Sequence, residues 1–139
     1  MHRLGGALLA YDQMGMAADE ARGHGVDYRD LAGAGLDVLV YQSYPQAWAG
    51  FWLEAYRGRF DLAANVRNLA TVRSAAAGTG LRVLYTVELG DSVERWSADP
   101  ARTAEQMTAL DPLADGRFLV WANDPVAQLG SPAAEDPHR

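Results

Sequence analysis

The sequence predicts an α/β protein in which parallel β-strands alternate with α-helices. Four short apolar runs recur along the 139 residues, at intervals of 32 to 45 residues, and polar residues follow each run. An interval of this length suits a strand-helix-strand unit. Because each run is almost continuously apolar, the predicted strands are of the type that a parallel sheet buries on both faces.

The predicted strands cover residues 4–11, 36–41, 81–87 and 118–122. Strands that alternate with helices in this way favour a parallel sheet with right-handed crossovers. A complete (β/α)8 barrel needs about 250 residues, and this chain has 139. We therefore expect a partial, half TIM-type barrel. Residues 1–127 would form a single β/α domain of about four units, and residues 128–139 a polar, flexible tail.

Helices are predicted over residues 28–34, 62–77 and 100–110. Asp61 and Asp99 can cap the second and third of these helices, and Pro100 suits a first turn. Gly78 and Gly80 can end the second helix. The apolar residues expected to face the core are Leu62, Val66, Leu69, Ala70 and Val72 in the second helix, and Ala104, Met107 and Leu110 in the third.

Composition excludes several classes of function. A net charge of −6 argues against nucleic acid or an anionic membrane as a partner. Without cysteine there is no disulfide, thiolate zinc site or cysteine nucleophile, and without lysine there is no Schiff-base chemistry. No dinucleotide fingerprint, P-loop, histidine metal spacing or serine elbow is present. We expect no metal and no cofactor, and by default a cytoplasmic location because the chain carries no signal peptide.

Polar and aromatic side chains follow the predicted strands. Parallel sheets bind ligands beyond the carboxyl ends of their strands, so these residues are the candidates for a site. For any one of them the alternative is a helix cap or a turn. The candidates are Asp12, Gln42, Tyr44, Glu88, Asp91, Trp121, Asn123 and Asp124.

Residues 41–56 hold six of the chain's thirteen aromatic residues. Flat rings suit the apolar faces of sugars, and Gln42 and Ser43 could bond hydroxyl groups. Phe51, Trp52 and Tyr56 instead favour a short helix that packs on the sheet. Tyr44 and Trp48 are therefore the better ligand candidates.

Glu88 ends an apolar strand, where a carboxylate needs a partner or a shifted pKa. Glycosidases use two carboxylates, and Asp12, Asp91 or Asp124 could supply the second. The structural alternative is a salt bridge between Glu88 and Arg82 or Arg95.

The pattern of Tyr85-Thr-Val-Glu88 followed by Phe118-Leu-Val-Trp121 resembles the last two strands of (β/α)8 glycoside hydrolases. The resemblance implies that Glu88 is the nucleophile and that Trp121 lines the sugar site. Gln42 to Tyr44 would then correspond to strand six and Asp12 to strand five. The acid/base glutamate of that group closes strand four, which this chain lacks, so the acid would be Asp12 or a residue of a preceding segment.

Two hypotheses follow from these residues. In the first, the chain is a glycoside hydrolase-like enzyme that uses Glu88 with Asp12 or Asp124. In the second, it is a non-catalytic half-barrel that binds glycans or assembles with a partner. A βα enzyme of another class, with phosphate bound at a helix start, stays open. Because four strands leave two sheet edges, we expect a homo-oligomer or a missing N-terminal half.

Overall fold

A computed structural model of the protein describes residues 9–46, 61–88 and 98–120. Its four strands form one sheet in chain order, and every neighbouring pair is parallel. The prediction of an α/β fold with a parallel sheet is thus confirmed. The strands are β1 (Ala10–Gln13), β2 (Val38–Tyr41), β3 (Arg82–Glu88) and β4 (Gly116–Val120).

All four strands differ from their predicted limits, and β2 begins at Val38, two residues after its predicted start. β1 continues through Gln13, so Asp12 lies within the strand instead of following it. β3 includes Glu88 as its last residue, and β4 begins at Gly116, two residues before the predicted start. Periodicity places a strand well but not its ends, because the ends depend on pairing with the neighbouring strand.

Within the described ranges, the connections between the strands include α1 (Ala18–Gly23), α2 (Tyr28–Gly33), α3 (Leu62–Ala76) and α4 (Pro100–Leu110). A 3₁₀ turn, Asp111–Leu113, follows α4. The three predicted helices are present, but α1 was not predicted. It is only six residues long and has no side-chain cap, so the sequence shows neither a long apolar periodicity nor a capping residue for it.

Aspartate caps begin α2, α3 and α4. Asp27 accepts a hydrogen bond from the backbone N–H of Arg29, Asp61 from Ala64 and Asp99 from Ala101. Each cap satisfies a backbone donor that a helix start leaves unpaired. For Asp61 and Asp99 the structure confirms the prediction. Gly78, two residues after α3, has φ of 75°, a conformation that glycine adopts without a steric penalty.

One hydrophobic core joins the helices to one face of the sheet. Its strand residues alternate along β2 and β3, and its helix residues come from all four α-helices. Val38, Val40 and Leu84 form a second, small buried cluster on the opposite face. The main core contains Leu39, Tyr41, Val83, Tyr85 and Val87 from the strands, and Ala18, Tyr28, Leu69, Val72, Ala76 and Leu110 from the helices.

The predicted core faces of α3 and α4 are only partly correct. Leu69 and Val72 are buried, whereas Ala70 is exposed. In α4 Leu110 is buried and Ala104 is exposed. The buried positions of α4 also include two polar residues, Thr103 and Gln106. Each comes one residue before a predicted core residue, Ala104 or Met107, so the face that α4 turns inward differs from the predicted face.

Two buried tyrosines belong to the core. Burial raises the pKa of Tyr41 well above its ordinary value. Burial also raises the pKa of Tyr85, whose hydroxyl donates a 2.7 Å hydrogen bond to Asp111 Oδ1 and so ties β3 to the 3₁₀ turn. Both hydroxyls therefore stay protonated at neutral pH, and that of Tyr85 acts as a donor.

None of the helices in the described ranges is long and apolar enough to cross a membrane. The predicted tail, residues 128–139, lies outside the described residues.

Asp115 links three parts of the fold at the start of β4. Its Oδ2 accepts hydrogen bonds from the Arg73 guanidinium of α3 and, at 2.9 Å, from the backbone N–H of Val83 in β3. The backbone N–H of Asp115 donates to the Val83 carbonyl at 2.7 Å. The hydrogen bond from Arg73 is the main cause that holds the pKa of Asp115 below its usual range.

We expect Asp115→Asn to lower the free energy of unfolding by about 0.5 to 1 kcal/mol near pH 7, since the ion pair is partly exposed. A carboxylate whose pKa is lowered on folding stabilises the protein above its unfolded pKa, and this contribution disappears as pH falls through the folded pKa. The difference between the two proteins should therefore shrink below about pH 4. Urea unfolding across this range, with Glu105→Gln as the exposed control, measures it. A difference independent of pH would contradict this role of the charge.

Candidate functional site

Asp12 and Gln42 form a hydrogen-bonded pair at the carboxyl edge of the sheet, which we call the strand-end pair. Gln42 Nε2 donates to Asp12 Oδ2 at 2.6 Å. Asp12 is exposed in β1, and Gln42 is half-buried directly after β2. Asp12 pairs with Val40 across the sheet, so the strand-end pair lies on the face opposite the helices. Two neighbouring strands thus present a carboxylate and an amide to the same exposed region.

Gln13, the last residue of β1, points to the helix side and is buried. Its Oε1 accepts a 2.8 Å hydrogen bond from the Tyr28 hydroxyl, and its Nε2 donates to the Met16 carbonyl at 3.2 Å. Both the oxygen and the nitrogen of this amide thus make hydrogen bonds within the protein. Gln13 therefore anchors α2 to the end of β1.

Glu88 ends β3 and is only 1% exposed. Its side-chain Oε2 accepts a 2.9 Å hydrogen bond from the backbone N–H of Gln46, and its backbone carbonyl accepts one from Thr103 Oγ1 at 2.9 Å. A buried carboxylate needs such donors, because removing its charge from water is costly. Glu88 thus joins the chain after β2 to α4, and its carboxylate is held in a fixed position.

Gln46 and Thr103 extend this arrangement. The Gln46 side chain donates to Thr103 Oγ1 at 3.1 Å and accepts from the backbone N–H of Asp99 at 2.8 Å. One side chain from the segment after β2 therefore connects to both the cap and the first turn of α4.

Gln106 lies beneath these residues and is fully buried. Its Nε2 lies 2.8 Å from the Ser43 carbonyl, 3.0 Å from Ser43 Oγ and 3.2 Å from the Thr86 carbonyl. Thr86 Oγ1 in turn accepts from the Ser43 backbone N–H at 2.7 Å. We call Ser43, Gln46, Thr86, Glu88, Thr103 and Gln106 the buried polar network.

Gln106 Oε1 has no hydrogen-bond partner in the part of the chain that the structure describes. A buried amide oxygen without a partner is destabilising by about 1 to 3 kcal/mol. The contacts of Nε2 therefore hold the side chain in an arrangement that leaves its oxygen unsatisfied.

The predicted site residues have different environments. Asp12, Gln42 and Glu88 lie at the carboxyl edge on the face opposite the main core, as strand alternation requires. Tyr44 is 7% exposed, so little of its ring is open to a ligand. Five predicted residues lie outside the described ranges: Trp48, Asp91, Trp121, Asn123 and Asp124.

The strand register separates Asp12 from Glu88. Asp12 is level with Val40 and Leu84, and Glu88 lies four residues further along β3. From strand geometry their Cα atoms are about 16 Å apart, about 13 Å along the sheet and about 10 Å across it. Glycosidase carboxyl groups are about 5 to 9.5 Å apart. The geometry favours a partner for Glu88 other than Asp12.

The suggested salt bridge of Glu88 with Arg82 is wrong. Arg82 begins β3 and Glu88 ends it, a separation of about 20 Å in an extended strand. Arg95, the other suggested partner, lies outside the described residues.

Sequence reasoning missed Gln46, Thr103 and Gln106. Thr103, Gln106 and Leu110 have the 3,4 spacing of a helix face, which could have identified α4 as polar towards the strand ends. Ala104, Met107 and Leu110 also have a helical spacing, and their apolar side chains indicate a different inward face. No comparable pattern marks Gln46.

Within residues 9–46, 61–88 and 98–120, no three histidine or acidic side chains are grouped closely enough to hold a metal ion. Comparison with known proteins finds no matching family model, no matching curated protein and no matching solved structure.

We expect Gln106→Leu to lower the free energy of unfolding by about 1 to 3 kcal/mol, because the Ser43 and Thr86 carbonyls lose a buried donor. Loss of the unpartnered Oε1 offsets part of this effect. Thermal or urea unfolding measures it. Glu105→Ala, exposed on the same helix, should change stability by less than about 0.5 kcal/mol. A Gln106→Leu protein as stable as the wild type would contradict the bridging role.

Proposed function

We propose that this chain is a β/α module of half-barrel type that binds carbohydrate at the carboxyl edge of its sheet. The observation that carries the proposal is the strand-end pair, an exposed carboxylate and amide held 2.6 Å apart on adjacent strands. The resemblance of its strand ends to glycoside hydrolases adds support.

The half-barrel part of the proposal rests on topology. In the described sheet the strand order never reverses, and the helices contribute to a single core on one face. Successive right-handed crossovers produce this arrangement in (β/α)8 barrels, whereas doubly wound sheets reverse direction at a switch point. Val38, Val40 and Leu84 would then lie on the inner face of the barrel.

Among the described strands, β1 pairs only with β2, and β4 only with β3. Leu9 and Met14, which flank β1, are 45% and 51% exposed. An exposed strand edge with apolar ends favours pairing with further strands. In the proposal these strands come from a second copy of the chain or from a further part of the protein.

The chemistry of the strand-end pair suits sugar hydroxyl groups. A hydroxyl donates one hydrogen bond and accepts others, so it needs acceptors and donors side by side. Asp12 supplies carboxylate oxygens, and Gln42 supplies an amide with both functions. The hydrogen bond between them fixes both groups before a ligand binds, which lowers the entropic cost of binding. Trp48 and Trp121 are proposed as the aromatic contacts of the same ligand.

Titration with neutral oligosaccharides, followed by calorimetry or NMR, tests this proposal. We expect saturable binding, weakened at least about tenfold by Asp12→Ala and by Gln42→Ala, which corresponds to about 1.4 kcal/mol. Asp19→Ala removes an exposed carboxylate from α1 and should leave the affinity unchanged. Absence of saturable binding across a broad panel, or equal losses in the Asp12 and Asp19 variants, would contradict the proposal.

Hydrolysis by Glu88 is a second candidate function. It is favoured by the position of this carboxylate at a strand end, where the Gln46 N–H fixes it. Asp12 lies two strands away from Glu88, so Asp124 is the proposed partner because it follows β4, the neighbouring strand whose Val120 pairs directly with Glu88. At 1% exposure, Glu88 would have to become accessible before it could attack a substrate.

If Glu88 is a nucleophile, Glu88→Gln should reduce any glycosidase activity at least about a thousandfold, equivalent to about 4 kcal/mol of transition-state stabilisation. The amide retains the size of the carboxylate and can accept the Gln46 hydrogen bond, so glycan binding should persist. Reducing-sugar release and binding are measured on the same preparations. Unchanged hydrolysis would exclude Glu88 as the nucleophile, and glycan binding without hydrolysis in the wild type would favour the non-catalytic module.

A further inference from the structure

A concave site lies on the helix side of the sheet, away from the strand-end pair. It is a pocket of about 540 Å³ between α1, the start of α2 and the end of α3. This volume falls within the usual range for small-molecule sites. Its polar lining comes from Arg22, Asp27, Arg29 and Ser74, and neither residue of the strand-end pair contributes to it.

Two arginines give this pocket its charge. Arg22 lies in the last turn of α1, and Arg29 lies in the first turn of α2. The ion pairs of the described residues involve Arg73, Arg102 and Arg117, but neither Arg22 nor Arg29. The pocket lining thus carries two guanidinium groups against one carboxylate, that of Asp27, in a chain of net charge −6.

Some of the other polar groups that line the pocket already make hydrogen bonds within the protein. Asp27 Oδ1 accepts the backbone N–H of Arg29 as the cap of α2. The Tyr28 hydroxyl donates to Gln13, and Tyr28 is only 5% exposed, so it offers the pocket little surface. Ser74 adds a hydroxyl close to the end of α3. The groups left to recognise a ligand are thus two guanidinium forks, one hydroxyl, the second carboxylate oxygen of Asp27 and apolar surface that includes Val26.

We propose that this pocket binds a small phosphate monoester, with Arg22 and Arg29 holding the phosphate. Guanidinium groups match phosphate oxygens in pairs, and two of them can bind different edges of one tetrahedral group. The pocket is larger than a phosphate ion, so the organic part of the ester has room beside Val26, Ala75 and Ala77. This site is independent of the carbohydrate proposal.

The test uses inorganic phosphate and glycerol phosphate as probes, titrated into the full chain at constant ionic strength and followed by backbone NMR. We expect saturable shifts in the amides of residues 22 and 26–29 and of residues 74–77. Glycerol phosphate should bind more tightly than inorganic phosphate because it also uses the apolar surface. The double substitution Arg22→Gln with Arg29→Gln should weaken binding at least about tenfold.

Arg67→Gln is the matched control, since Arg67 is exposed in the middle of α3 and does not line the pocket. It should leave the affinity unchanged. The double substitution Arg22→Lys with Arg29→Lys keeps the charge but removes the forked geometry, and it should give an intermediate affinity. Circular dichroism checks that each variant folds.

Four results would overturn the proposal. These are absence of saturable shifts with either probe, shifts centred elsewhere in the chain, equal weakening by Arg67→Gln, and acetate binding as tightly as glycerol phosphate.

Discussion

The parallel pairing of four strands in chain order is the constraint on which the rest of this structure depends. Because all strands run the same way, each connection must return across the sheet, and the helices that do so pack against one face. The same constraint brings the ends of β1, β2 and β3 to one edge. Asp12, Gln42 and Glu88 lie in that region although up to 76 residues separate them in the sequence.

The carboxyl edge contains two different kinds of polar group. Asp12 and Gln42 are in contact with solvent and are the groups a ligand could meet. Ser43, Glu88 and Gln106 are buried, and their hydrogen bonds join the chain after β2 to α4. Except for Gln106 Oε1, the hydrogen bonds of this network fix the positions of its members, and at a strand end they also fix the residues beside them. The network therefore holds the segment from which Gln42 projects.

The two proposed sites have opposite electrostatic character. The strand-end pair offers a carboxylate and an amide, which suit neutral hydroxyl groups. The helix-side pocket offers Arg22 and Arg29, which suit an anion. With a net charge of −6, the chain as a whole disfavours anions at most of its surface, so local arginines would be needed to bind one. The two proposals can therefore be tested separately, with neutral and anionic probes.

The sequence by itself determined the strand and helix alternation, the parallel sheet and the capping roles of Asp61 and Asp99, since these depend on local apolar periodicity and turn chemistry. Glu88, Asp12 and Gln42 were identifiable as candidates for the same reason, as polar residues at the ends of apolar runs, but the contact between Asp12 and Gln42 was not. Only the tertiary structure decided that Glu88 is buried, that Asp12 is out of register with it, and that α4 presents Thr103 and Gln106 inward. Strand register and the rotation of a helix about its axis arise from contacts between segments distant in sequence. Local sequence patterns do not determine those contacts.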